Sequence, residues 1–182
     1  GHGSSTSDVG AVGICNGTEV KEVEVNRQVR SALADKLGTD GATVVLVPQL
    51  ESRRERVAYA EGAGAEVLIS IHHNGSSDPA TDYTQTFITQ NRDKVLAQAV
   101  HPELVNALKL PDHGIKNDGF GMTVYGKIPS ILTEAYFLTN PQGACESLDG
   151  TRIAKEVSGF YTGLNKYFSS QSSGGGKSRG NK

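Results

Sequence analysis

The chain has 182 residues, 36% of them hydrophobic, no Trp and a formal net charge of −2. That length suits one compact domain with a sizeable core. No apolar run approaches the ~20 residues that span a bilayer, and no signal peptide is evident. The segment Ser169–Lys182 holds Lys177, Arg179 and Lys182 but no acid, so the remainder is more acidic than the whole. An acidic body argues against a nucleic-acid-binding domain, which would usually be basic.

Val25, Val29, Leu33 and Leu37 recur every four residues and predict a helix from about Val20 to Leu37, ended by Gly38. Ala42–Val47 reads as a short buried strand. Ser52 and Glu55 form a capping-box pattern that starts a second helix over Ser52–Gly62. Val67–Ile71 is a run of β-branched and aliphatic residues, the signature of a central parallel strand. Asn74–Asp82 is a polar loop, and Tyr83–Thr89 alternates like a further strand.

Arg92–Val100 and Glu103–Leu108 are predicted helices broken or kinked at Pro102. Phe120–Tyr125 and Ser130–Thr133 read as the last strands. Asn140-Pro141 marks a helix start. Ile153, Val157, Phe160, Tyr161, Leu164, Tyr167 and Phe168 make a strongly amphipathic closing helix. Ser169–Lys182 is predicted to be a disordered Ser/Gly/Lys-rich tail after a domain covering residues 1–168. Strands alternating with helices imply a single α/β domain, with a twisted, mainly parallel sheet flanked by helices. There is no internal repeat. Cys15 and Cys145 can form one disulfide or remain two thiols.

Chemistry concentrates where strands should end. His72 closes the strand Val67–Ile71, and ligands of open α/β sheets sit at the carboxyl ends of such strands. Glu134 follows the apolar run Ile131-Leu132-Thr133, where an acid is costly unless paired or functional. His2, in Gly1-His2-Gly3, and Glu22, at the start of the first helix, are the further candidates. Two imidazoles, one carboxylate and an open position make a catalytic zinc arrangement. The remaining acid would act as general base. Each has a plainer reading: His2 as a tag residue, Glu22 as an acid at a helix N-terminus, Glu134 as the partner of an Arg. His73, His101 and His113 read as surface or supporting groups.

Four blocks carry a resemblance to the zinc-dependent N-acetylmuramoyl-L-alanine amidases of the amidase-3 group. They are Gly1-His2-Gly3 with Asp8-Val9-Gly10-Ala11-Val12-Gly13; Glu22-Val23-Glu24-Val25-Asn26; Arg56 and Ala60 with Ala65–Asn74; and Pro129–Asn140. Gly114-Ile115-Lys116 is similar to a turn of the family. The likeness extends from Gly1 to about Phe168. It departs at His73, where the family usually has Ala, and at Gly1, which the family's pattern precedes with a strand that this sequence does not show.

The resemblance implies one Zn2+ held by His2, Glu22 and His72, with Glu19 the rival carboxylate, and Glu134 as the catalytic acid. It points to Asn74 and His73 as substrate contacts, although His73 could instead face the core, since neighbouring strand residues alternate. The implied substrate is peptidoglycan, acted on outside the cytoplasm by a bacterial autolysin or a phage lysin. No nucleic-acid or membrane partner is expected, and a monomer is. The loop Asn74–Asp82 is too short for an inhibitory helix, so an open site is expected. A zinc peptidase and a non-catalytic wall-binding module are the alternatives.

Overall fold

A computed structural model describes residues 1–119 and 121–174. Two antiparallel strands come first, β1 (Val12–Cys15) and β2 (Thr18–Lys21), joined across Asn16-Gly17. This hairpin was not among the sequence expectations, although Asn-Gly between short strands is a strong hairpin signal. The order continues with α1 (Glu22–Thr39), α2 (Arg53–Gly62), β3 (Leu68–Asn74), β4 (Thr84–Ile88), α3 (Asp93–Leu108) and β5 (Asp112–Asn117). A short 3-10 helix (Gly121–Val124), β6 (Ser130–Phe137), α4 (Pro141–Leu148) and α5 (Thr151–Gly174) follow.

The second sheet has the order β3-β6-β4-β5. Its outer pairs, β3 with β6 and β4 with β5, are parallel, while β6 and β4 run antiparallel. The α/β class and the mainly parallel sheet therefore hold, with one antiparallel pairing among the three. The N-terminal caps of α2 and α4 follow the sequence. Ser52 Oγ accepts from the Glu55 amide at 3.3 Å, and Asn140 Oδ1 accepts from the Gly143 amide at 3.0 Å.

Alternation sorts the two central strands. Ile69 and Ile71 of β3, with Ile131 and Ala135 of β6, face the main core. There they meet Val25 and Val29 of α1, and Leu96, Val100 and Leu104 of α3 packed on Phe160 and Leu164 of α5. α3 and α5 approach so closely that a Cβ on Gly163 would lie 2.6 Å from the Val100 Cα. The opposite face carries Leu68, Ser70 and His72 of β3 beside Ser130, Leu132 and Glu134 of β6; there Leu68 packs with Val57 and Ala60 of α2.

Four expectations are corrected. Residues 42–47 form no strand; Val44 and Leu46 are exposed, and a groove of about 640 Å³ separates the segment from β3. Strand propensity is not enough where no ladder partner lies within reach. α3 runs unbroken through Pro102, because the proline is on the exposed side and Gln98, whose carbonyl loses its bond, is exposed too. Residues 121–124 form a 3-10 helix where a strand was expected, and Phe120 lies outside the described residues. The segment read as a turn at Gly114-Ile115-Lys116 belongs to strand β5.

α5 continues to Gly174, past Phe168 where the sequence placed the tail; residues 175–182 lie outside the described residues. Cys15 and Cys145 form a disulfide that ties the hairpin to α4. No helix among the described residues is long and apolar enough to cross a membrane.

Candidate functional site

The site lies on the second face of the sheet, in a cleft of about 950 Å³. Three elements deliver its donors. The first turn of α1 supplies Glu22, the end of β3 supplies His72, and the irregular segment ahead of β1 supplies His2. One ligand atom from each of His2, Glu22 and His72 lies within 4.8 Å of the others. Glu22 Oε1 is 3.0 Å from His72 Nδ1, and Glu22 Oε2 is 3.2 Å from His2 Nε2.

His2 is held by Asp8. Its Nδ1 donates to Asp8 Oδ1 at 2.7 Å, while Asp8 Oδ2 accepts from the Ser4 hydroxyl at 2.8 Å and the Ser4 amide at 3.2 Å. A carboxylate on one ring nitrogen turns the other toward the cleft, as metal-ligating histidines require. His2 itself sits at a φ of 58°, a strained backbone for a side-chain-bearing residue. In the sequence Asp8 stands out only as part of the motif Asp8-Val9-Gly10-Ala11-Val12-Gly13, which assigns it no role. Its position six residues after a candidate ligand was the available signal.

Glu22 is 3% exposed. Two backbone amides donate to it, Ala11 N–H to Oε2 at 2.8 Å and His73 N–H to Oε1 at 3.1 Å. Gly10 makes room for this carboxylate: its φ is +72°, and a Cβ there would lie 2.3 Å from Glu22 Oε2. Burial pushes the Glu22 carboxyl up, but the bonds from His2, His72 and Ala11 prevail and hold it well below the ordinary carboxylate range. Burial lowers His72 to about 4. The bond to Glu22 raises His2, and the bond from His2 lowers Asp8 to about 2.

Glu134 stands directly across the ladder from His72, in parallel register on the same face. Neighbouring strands are about 4.8 Å apart, so the two side chains project side by side into the cleft. Burial, and then the charge of Glu22, raise Glu134 to about 8. Its Oε2 is buried without a hydrogen-bond partner. The ladder is irregular just past this point, between His72 and Asn74, and such bulges recur beside active sites.

The other candidates separate cleanly. Glu19 lies on β2, is 60% exposed, and pairs with Lys21, away from the cluster. His73 is not a substrate contact through its side chain, because alternation turns its ring to the core face, with no exposure. Asn74 lines the cleft, with Oδ1 accepting from the Gly75 amide at 2.8 Å. His101 bonds Thr86 and Asp112, and His113 stacks on Tyr83 at 3.6 Å.

The donor set fits a zinc ion on its chemistry: two imidazoles and one ionised carboxylate, the carboxylate fixed by backbone amides, with room for a further ligand in the cleft. The lone buried oxygen of Glu134 beside them fits too, since a cation would offset the strain of ionising it.

A family profile described as N-acetylmuramoyl-L-alanine amidase matches residues 1–164. The chain is 34% identical over 176 residues to the N-acetylmuramoyl-L-alanine amidase LytC of Bacillus subtilis (strain 168), covering 92% of this chain and 34% of LytC. It thus spans about a third of that relative's length. Among solved structures, the catalytic domain of CwlV, an N-acetylmuramoyl-L-alanine amidase from Bacillus (Paenibacillus) polymyxa var. colistinus, superposes with a TM-score of 0.83 at 27% identity, covering 93% and 94% of the two chains. An N-acetylmuramoyl-L-alanine amidase from Clostridium difficile 630 gives 0.82 at 27% identity, covering 94% of each.

Proposed function

Because the chain belongs to the amidase-3 family of N-acetylmuramoyl-L-alanine amidases, we propose that it is a zinc-dependent hydrolase of peptidoglycan. The bond cut is the amide between the lactyl group of N-acetylmuramic acid and L-alanine of the stem peptide. One observation carries the reading: His2, Glu22 and His72 converge within 4.8 Å beside an acid, Glu134, that the ladder places next to His72.

His2 Nε2, Glu22 and His72 Nδ1 would hold the ion. Zinc bound there would supply Lewis-acid polarisation of the scissile carbonyl and of the attacking water. Glu134 takes the proton from the water as its oxygen bonds to the carbonyl carbon. The same carboxyl then delivers that proton to the departing nitrogen as the carbon–nitrogen bond breaks, leaving a free lactyl carboxyl and a free L-alanine amine. One carboxyl can serve both positions only if it lies within hydrogen-bond reach of each. Its burial matters here, because a poorly solvated carboxyl holds a proton readily. Asp8 keeps His2 oriented, and Asn74 at the cleft wall is the proposed substrate contact.

The disulfide between Cys15 and Cys145 supports action outside the cytoplasm, where such bonds persist. The test of the role assignment is a pair of variants. Glu134→Ala is expected to keep stoichiometric zinc and lose turnover on purified peptidoglycan, whereas His72→Ala loses both. Normal turnover by Glu134→Ala overturns the assignment.

A further inference from the structure

On the core side of β3, behind the cluster, lies a second set of ionisable groups that the mechanism above does not use. His73 and Glu156 of α5 both have side chains with no solvent exposure, and His73 Nε2 lies 2.9 Å from Glu156 Oε2. The other ring nitrogen, Nδ1, is 2.8 Å from Asn26 Oδ1. Asn26 Nδ2 reaches Glu22 Oε1 at 3.4 Å and the Gly1 carbonyl at 3.3 Å. The four groups thus form one buried chain from α5, through the sheet and α1, to the carboxylate of the cluster. The Tyr136 ring packs against His73 at 4.4 Å and closes the side of the chain.

A buried pair of this kind is by itself weak evidence of a role in stability. Buried ionic pairs of this kind are commonly replaced by apolar residues of similar volume with no loss of stability. The direction of the bonds, by contrast, has a consequence at Glu22. The Asn26 amide faces two acceptors, Glu22 Oε1 and the Gly1 carbonyl, with its Nδ2. Its Oδ1 must therefore face His73, so His73 Nδ1 donates. The second ring nitrogen, Nε2, faces Glu156 Oε2. Only this polarity points the Asn26 N–H at Glu22; reversed, the Asn26 oxygen would confront the carboxylate.

We propose that His73 and Glu156 are positioning residues, which act through Asn26 to hold the Glu22 carboxylate in its metal-binding orientation. The inference rests on the zinc site of the reading above. Glu156→Gln tests it with almost no change in shape. A glutamine can accept from or donate to His73, so both ring tautomers become available, and only one leaves Asn26 donating to Glu22.

The experiment is a Zn2+ titration of the full chain against a chromophoric chelator, with the melting temperature of the metal-free protein recorded alongside. It covers the wild type, Glu156→Gln, Asn26→Ala and the double variant. Residues that support a ligand typically change metal affinity about 10–100-fold, so Glu156→Gln is expected to weaken zinc binding about tenfold. In the Asn26→Ala background the same change should add less than twofold, because the link is already cut. Zinc binding by Glu156→Gln within twofold of wild type, with only the melting temperature lowered, would show a merely structural pair and overturn the proposal. An undiminished effect in the Asn26→Ala background would overturn transmission through Asn26. Absence of zinc binding by the wild type would instead overturn the metal reading itself, and this inference with it.

Discussion

Burial and the charge of Glu22 both push Glu134 toward its protonated form, and Glu134→Gln in the metal-free protein measures how hard. Burial, together with the neighbouring charge of Glu22, raises this carboxyl from 4.5 to about 8. Between those values the folded chain keeps a proton that the unfolded chain has released. Stability therefore falls as pH rises through the window, and below 4.5, where both states are protonated, there is no effect. At about 1.4 kcal/mol for each tenfold, the full window amounts to about 5 kcal/mol, and about 3 kcal/mol is already lost by pH 6.5. Glutamine has the shape of the protonated acid and does not titrate.

Urea unfolding in the presence of a chelator should therefore show the Gln variant and the wild type differing by a constant amount below pH 4.5. Above it the variant should gain steadily, by about 5 kcal/mol at pH 8 and beyond. Saturating zinc should narrow the gap, because a cation beside the carboxylate stabilises its charged form. A difference between the two proteins that does not change with pH would refute the desolvated carboxyl and the reasoning built on it.

Further perturbations have equally definite outcomes. Gly10→Ala would put a Cβ 2.3 Å from Glu22 Oε2 at a φ of +72°; zinc affinity should fall at least about tenfold, and unchanged affinity would show that the loop moves freely. The disulfide closes a sequence separation of 130 residues, for which chain entropy suggests about 5 kcal/mol. The double Cys15→Ser, Cys145→Ser variant should melt on the order of 10 °C lower, and equal melting temperatures would contradict this. Phe160, fully buried in α5, should cost about 3–5 kcal/mol when cut to Ala; urea unfolding showing less than about 1 kcal/mol would mean that α5 is not packed as described.

Features that depend on local physics were legible in the sequence. The four-residue apolar spacing placed α1, the Ser52 cap placed α2, and continuous apolar runs placed β3 and the start of β6. Features that depend on a distant partner were not. Residues 42–47 have strand composition but face a groove instead of a neighbouring strand, and Pro102 is tolerated because α3 is held by packing on α5 and the proline faces solvent. At the site, the pattern resembled a family closely enough to name His2, Glu22, His72 and Glu134. Glu22 is favoured over Glu19 by the resemblance, because Val25, Asn26, Val29 and Leu33 then fall in the family's helix register. Asn26 and Glu156 were not given roles, since 130 residues separate them in sequence and only the stacking of α5 behind the sheet brings both to His73.

The central claim is a zinc-dependent amidase, and digestion of purified peptidoglycan by zinc-loaded and chelated protein, read by mass spectrometry, tests it most directly. Free stem peptides beginning with L-alanine, released only with zinc, are the predicted result. Fragments cut within the stem peptide, or stem peptides released equally by the chelated protein, would contradict it.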